Sequence, residues 1–165
     1  MMDRMLLFCF ATFCGAFVGI YFGKRIQDRY IFLTEIDALI LKMEGLIKYN
    51  RYSVYELLDK TRNEKLSFIT DDMIARSREG KRIDELWRNE ISEIKYLTAD
   101  DIRVISLLGD NLGKTDTEGQ LAIMQTVRHS LDTLIKDSDE IRKKKTRLYR
   151  TLGILLGAAV GIVLL

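Results

Sequence analysis

Residues 142–165 read RKKKTRLYRTLGILLGAAVGIVLL, a basic run that passes straight into fifteen residues, Thr151 to Leu165, carrying no charge. The chain contains no proline, so nothing breaks a helix entering this segment from its basic side. Gly153, Gly157 and Gly161 recur every fourth residue and line one helical face. Glycine in a water-exposed helix costs about 1 kcal/mol relative to alanine. A ridge of it on one face marks a helix that another backbone approaches closely, as packed transmembrane helices do. The segment makes about 22 Å of helix, short of a ~30 Å hydrocarbon core. Snorkelling by Arg147 and Arg150, an interfacial Tyr149 and local bilayer thinning have to absorb the difference.

The other end of the chain repeats the pattern. MLLFCFATFCGAFVGIYFG, from Met5 to Gly23, holds a second ridge at Gly15, Gly19 and Gly23 and reaches about 28 Å as a helix. Tyr21 and Phe22 stand where interfacial aromatics belong, and Lys24, Arg25 and Arg29 follow, against Arg4 alone on the other side. The alternative is a cleaved signal peptide, which wants a basic n-region and a small-x-small cleavage site. The segment runs instead into KRIQDR, which favours an uncleaved anchor. Both basic flanks face the middle of the chain, so the expected topology is multi-pass, with Lys24 to Arg150 cytoplasmic and both termini outside. The cluster Arg142, Lys143, Lys144, Lys145, Arg147 and Arg150 reads as a membrane-surface contact, each residue contributing roughly 1 kcal/mol near anionic lipid. The two ridges could zip to each other or each face another subunit, and the sequence leaves both open.

Between the anchors the periodicity is helical throughout. Ile36, Leu39, Ile40, Met43 and Ile47 mark a first helix from about Ile26 to Tyr49 that continues out of the anchor. Ser53 and Glu56 form a capping-box pair for a short helix to Thr61, and a further helix fits Ser67 to Arg78, ended by Gly80. Ile83, Leu86, Trp87, Ile91 and Ile94 predict a helix reaching Tyr96. Thr98 with Asp101 starts the next, whose apolar positions stop at Gly113. From an N-cap at Asp116 or Thr117, the last helix carries Met124, Val127, Leu131, Leu134, Ile141 and Leu148 at alternating three-and-four spacing, interrupted by Ser138 and Lys145. The expected fold is all-α: an antiparallel helical bundle flanked by two transmembrane helices, the last helix long and continuous into the C-terminal anchor. The chain divides into a tail at 1–4, an anchor at 5–23, a cytoplasmic bundle domain at 24–150 and a short anchor at 151–165.

Chemistry is scarce. The net charge is +2 with both signs interspersed, which leaves no nucleic-acid footprint. Gly109 to Thr115, GDNLGKT, resembles a phosphate loop, but it has three residues between its glycines where four are needed, and it follows a helix. A helix C-cap at Gly113 followed by a new N-cap explains it better. His129 is the only histidine and belongs on a helix flank, and Cys9 and Cys14 both lie inside the first anchor. Asp71 with Asp72, and Asp100 with Asp101, suit helix starts, and Trp87 suits a core. No catalytic residue, cofactor or metal site is expected.

The turn at Leu107 to Gln120, LLGDNLGKTDTEGQ, together with RLYRTLGILLGAAVGIVLL, resembles the stage III sporulation protein AB family of endospore-forming bacteria. The resemblance covers most of the chain. Leu108, Gly109, Leu112, Gly113, Asp116, Glu118 and Gln120 match in the turn; Lys145, Tyr149, Arg150, Gly153 and Gly157 match in the approach to the membrane. The short terminal anchor departs from the pattern. The resemblance implies a non-enzymatic component of a channel or secretion-like complex joining mother cell and forespore. It also implies a fold similar to the cytoplasmic helical domains of type II secretion and type IV pilus platform proteins. The bundle would face the mother-cell cytoplasm from the outer forespore membrane and engage a companion secretion-type ATPase and other stage III channel proteins, with homo-oligomers possible. The rival expectation is a membrane signalling adaptor acting by helix dimerisation. The turn is the leading docking candidate, although Gly113, Asp116 and Gln120 suit a tight helix connection equally well.

Overall fold

The computed structural model describes the backbone of residues 2–49, 52, 54–61, 65–78 and 82–163, and the side chains among them except 2–9, 11, 12, 54, 55, 77, 78, 150, 157, 158, 161 and 163. Six helices follow one another: α1 (Met2–Tyr49), α2 (Val54–Lys60), α3 (Ser67–Arg78), α4 (Ile83–Ser92), α5 (Ala99–Asn111) and α6 (Thr117–Val163). No strand occurs among the described residues. Ser53 and Gly80, expected as a cap and a stop, lie outside them. The chain forms two compact units, Ile31–Lys136 and Met1–Tyr30 with Asp137–Leu165.

The unit 31–136 is a helical bundle around one core. Ile36, Leu39, Ile40, Met43 and Ile47 are all buried, because their three-and-four spacing puts them on one face of α1. They meet Leu57 and Leu58 of α2, Ile69 and Met73 of α3, Trp87 and Ile91 of α4, Ile105 and Leu108 of α5, and Met124, Val127 and Leu131 of α6. Phe32 adds an edge-on contact to Tyr96, with ring centroids 5.9 Å apart. Thr98 caps α5: its hydroxyl accepts from the Asp101 N–H at 3.2 Å, while the Asp101 carboxylate accepts from the Thr98 N–H at 2.8 Å.

Two expectations need correction here. α4 stops at Ser92, not Tyr96, because the backbone turns tightly after Glu93, with Ile94 N–H bonded to Ile91 O and Leu97 N–H to Ile94 O. The chain has only a few residues in which to reverse before the Thr98 cap. Asp71 and Asp72 are not at a helix start, since the first turn of α3 holds no acid. Asp72 pairs instead with Arg76 one turn on, at 2.8 Å.

Asp72 also contributes to a charge effect on α4. Burial first, and then the Asp72 carboxyl that shares a hydrogen bond with it, push the Glu90 carboxyl above its ordinary value. A carboxyl whose pKa is raised in the fold is penalised there in its charged form, a penalty that is full at neutral pH and is relieved as the pH falls through the folded pKa. Glu90→Gln is therefore expected to melt above the wild type at pH 7. The gap should close below about pH 4, where the unfolded carboxyl is protonated too. Thermal melts across that range check it.

α6 departs from the heptad expected for it. Met124, Val127 and Leu131 are buried, and Ser138, seven residues past Leu131, keeps that register although it is polar, but Leu148 is exposed. A straight helix advances 3.6 residues per turn, so a strict seven-residue stripe rotates by about 20° per heptad. Beyond Ser138 the face used has become Thr146 and Gly153, and Leu148 has turned outward.

Candidate functional site

The turn from Leu108 to Gln120 is built by local chemistry, residue by residue. Gly109 lies under the indole of Trp87: a Cβ there would stand 2.8 Å from Trp87 Cβ and closer still to ring carbons Cγ and Cδ1. Only glycine lets α4 and α5 meet at this depth. The indole N–H donates to Ile105 O at 2.9 Å, so the buried ring has its polar edge satisfied. Leu108 joins the core, and Leu112 packs against it as the C-cap of α5. Gly113 takes φ 76°, the left-handed conformation that ends helices. Asp116 Oδ1 accepts from the Gly119 N–H at 2.9 Å, the N-cap bond that starts α6. Gln120 Nε2 donates to Thr115 O at 3.0 Å and closes the loop. Glu118 is exposed in the first turn of α6, where the helix dipole favours it.

Salt bridges fasten the turn to α4. Arg88 meets Asp110 at 2.6 Å, and Lys114 meets Asp84 at 2.6 Å. Arg82 binds the same Asp84 at 2.7 Å. Hydrogen bonds from Arg82 and then Lys114 hold the Asp84 carboxyl far below the usual carboxylate range. The lysine of the GKT string thus has a carboxylate partner, and Gly113 has the helix-ending role expected of it. Asp116→Ala removes one cap bond, with an expected loss of about 1 kcal/mol in the stability of this unit. Denaturant melts compared with wild type measure it.

The second arrangement lies in the unit formed by 1–30 and 137–165. Here α1 and α6 run antiparallel: Gly19 lies against Tyr149 and Gly153, Gly23 against Thr146, Gln27 and Tyr30 against Arg142, and Arg29 against Asp137. A Cβ on Gly153 would fall 2.5 Å from the Gly15 carbonyl oxygen and 3.0 Å from Gly19 Cα. A Cβ on Gly19 would fall 2.5 Å from Tyr149 O. The ridges that the sequence could not pair therefore meet inside one chain. The side positions of Gly157 and Gly161 lie outside the described residues.

Around this seam the large apolar side chains point outward. Phe13 is 72 % and Phe17 65 % exposed on α1, and Leu156 is 64 % exposed on α6, with Phe10, Ile20, Leu152, Leu155 and Ile162 in the same condition. Glycine inside and phenylalanine or leucine outside inverts the order of a water-soluble helix pair. Among the described residues no helix is long and apolar enough to cross a membrane. The segment expected as the first anchor, 5–23, includes side chains 5–9, 11 and 12 that lie outside the description, as do several in 151–165.

The basic cluster is unevenly distributed. Arg142 stacks over the Tyr30 ring at 4.5 Å and pairs with Asp139 at 2.6 Å, and Lys143 meets the same carboxylate at 2.6 Å. Lys144 pairs with Glu140. These cations hold both carboxyls below their ordinary values. Lys145 and Arg147 are exposed, and the Arg150 side chain is outside the described residues.

Sequence spacing gave no hint of Arg128. Its guanidinium reaches Asp37 at 2.9 Å and Glu44 at 3.3 Å, joining α6 to α1 in the bundle. Asp37, with Glu44 behind it, raises the Arg128 pKa further. Partners more than eighty positions apart leave no local signal to read. His129 is exposed on the α6 flank expected for it, in a shallow cleft with Asp37, Gln125 and Asp132.

No curated protein and no solved structure matches the chain significantly. A family model does, over residues 4–165, and that span contains both the Trp87-supported turn and the glycine seam. On this match the chain belongs to the stage III sporulation protein AB family.

Proposed function

We propose that this stage III sporulation protein is a non-enzymatic membrane platform. The helix ends at 5–23 and 151–165 lodge in the outer forespore membrane, and the 24–150 domain faces the mother-cell cytoplasm. There it docks a companion secretion-type ATPase within the channel complex. The observation that carries this reading is the inverted hairpin, with Gly19 and Gly153 in backbone contact and Phe13, Phe17 and Leu156 outward. Water would penalise such a surface, whereas lipid chains do not. The same contact occupies Gly19 and Gly153 within the chain, so an adaptor of the rival kind would have to dimerise through its long last helix and not through these glycines.

The turn serves this reading as a structural joint whose exposed residues, Glu118 and Thr117, are available to a partner. Membrane fractions from sporulating cells test the anchoring. The protein should resist carbonate extraction, and protease should reach the bundle only from the cytoplasmic side. Extraction by carbonate, or digestion in sealed right-side-out vesicles, would overturn it. ATPase pull-down with Glu118→Lys and Asp116→Ala separates docking from folding. Loss of binding by Glu118→Lys at unchanged melting places the turn in the interface.

A further inference from the structure

Gly45 sits in the middle of α1, exposed, and a Cβ built on it would meet nothing within 4 Å. No contact within the described residues requires glycine there, although glycine at an exposed helix interior costs about 1 kcal/mol relative to alanine. One turn to either side stand Leu41, 52 % exposed, and Tyr49, 78 % exposed, with Ala38 one turn further back. The result is a shallow apolar strip with a gap at its centre.

Charge decides what fits it. Lys42 and Lys48 edge the strip, both exposed, and neither has a carboxylate partner among the described residues. The acids of this stretch are engaged elsewhere: Glu35 with Lys65 at 2.6 Å, Asp37 and Glu44 with Arg128. A second copy packed about a two-fold axis through Gly45 would set Lys42 against the other copy's Lys48, a like-charge pairing. A helix with small or apolar residues in its seam and Glu or Asp along its flanks meets both the strip and the lysines.

We propose that the Ala38–Leu41–Gly45–Tyr49 face of α1 docks an acid-flanked amphipathic helix of a partner protein. Gly45 lets the two backbones approach, and Lys42 and Lys48 set the polarity. The proposal does not depend on which protein supplies the helix, so a failure of ATPase docking leaves it standing.

The test uses the full chain in nanodiscs of zwitterionic lipid and two labelled helical peptides with one Leu/Ala seam, flanked by glutamate in one and by lysine in the other. The acidic peptide should bind about tenfold tighter than its basic twin and weaken as salt rises. Gly45→Trp should lower that binding at least about tenfold while the melting temperature holds or rises, since the site is empty. Lys42→Glu with Lys48→Glu should reverse the preference between the peptides. Equal binding of the two peptides, or binding indifferent to Gly45→Trp, overturns the proposal. So does copy-to-copy crosslinking from a photoreactive residue at Leu41, which would make the occupant a second copy.

Discussion

Gly109→Ala is expected to destabilise the bundle by about 3 kcal/mol, the upper end of what overpacking costs in a filled core. One added methyl group would sit within 2.8 Å of Trp87 Cβ and nearer still to its ring. The indole cannot retreat, because its N–H is fixed to Ile105 O at 2.9 Å and its faces are enclosed by the core. Relief requires α5 to move from α4, which also strains the Arg88–Asp110 and Lys114–Asp84 bridges. Chemical melting of the full chain should show a lower midpoint with little change in slope. Combining it with Trp87→Leu should cost less than the two single losses added together, since each relieves the other's crowding. Strict additivity would mean that the two residues do not touch. If the turn is mainly a joint, sporulation should fall in step with stability.

Gly153→Leu, alone or with Gly19→Leu, should open the hairpin. Both replacements drive a side chain into backbone: Gly153 toward Gly15 O, and Gly19 toward Tyr149 O, each at 2.5 Å. Backbone in a helix has no rotamer through which to yield, so the axes must separate. A cysteine pair at Gly23→Cys and Thr146→Cys reports the separation, since a Cβ at Gly23 lies 3.4 Å from Thr146 Cγ2, within disulfide reach. In a background with Cys9 and Cys14 replaced by serine, oxidation in membranes should link the pair in the parent. The linked fraction should drop about tenfold in the leucine variants, corresponding to a clash of more than 1 kcal/mol. Undiminished crosslinking would show that the ridges do not meet in this way. Gly45→Ala makes the control, as it adds the same atom type where nothing stands in its path.

Much of the fold was legible because helices announce themselves locally. α3 begins and ends where the spacing and composition put it, and α5 begins at the Thr98–Asp101 box. α6 begins at Thr117, capped by Asp116 as the composition put it. Trp87 lies in the core, as its place among periodic apolar residues required. The end of α4 was misplaced because Ile94 and Tyr96 continue the apolar period, although the backbone has already turned. Leu148 was misplaced because three-and-four spacing over a few turns does not distinguish a 3.5 from a 3.6 repeat, and the difference accumulates along a long helix.

Sequence alone therefore determined what depends on neighbours within a turn or two: where helices run, how they are capped, why Gly113 is needed at positive φ, and that two ridges of glycine exist. Tertiary structure alone decided which partner each surface takes. It placed Gly109 beneath Trp87, drew Arg128 to Asp37 and Glu44, and closed Gly19 on Gly153 within a single chain, while leaving Gly45 bare. The reason is that propensity and capping act over a few residues along the chain, whereas close packing is settled between residues that meet only after the helices have folded back on one another.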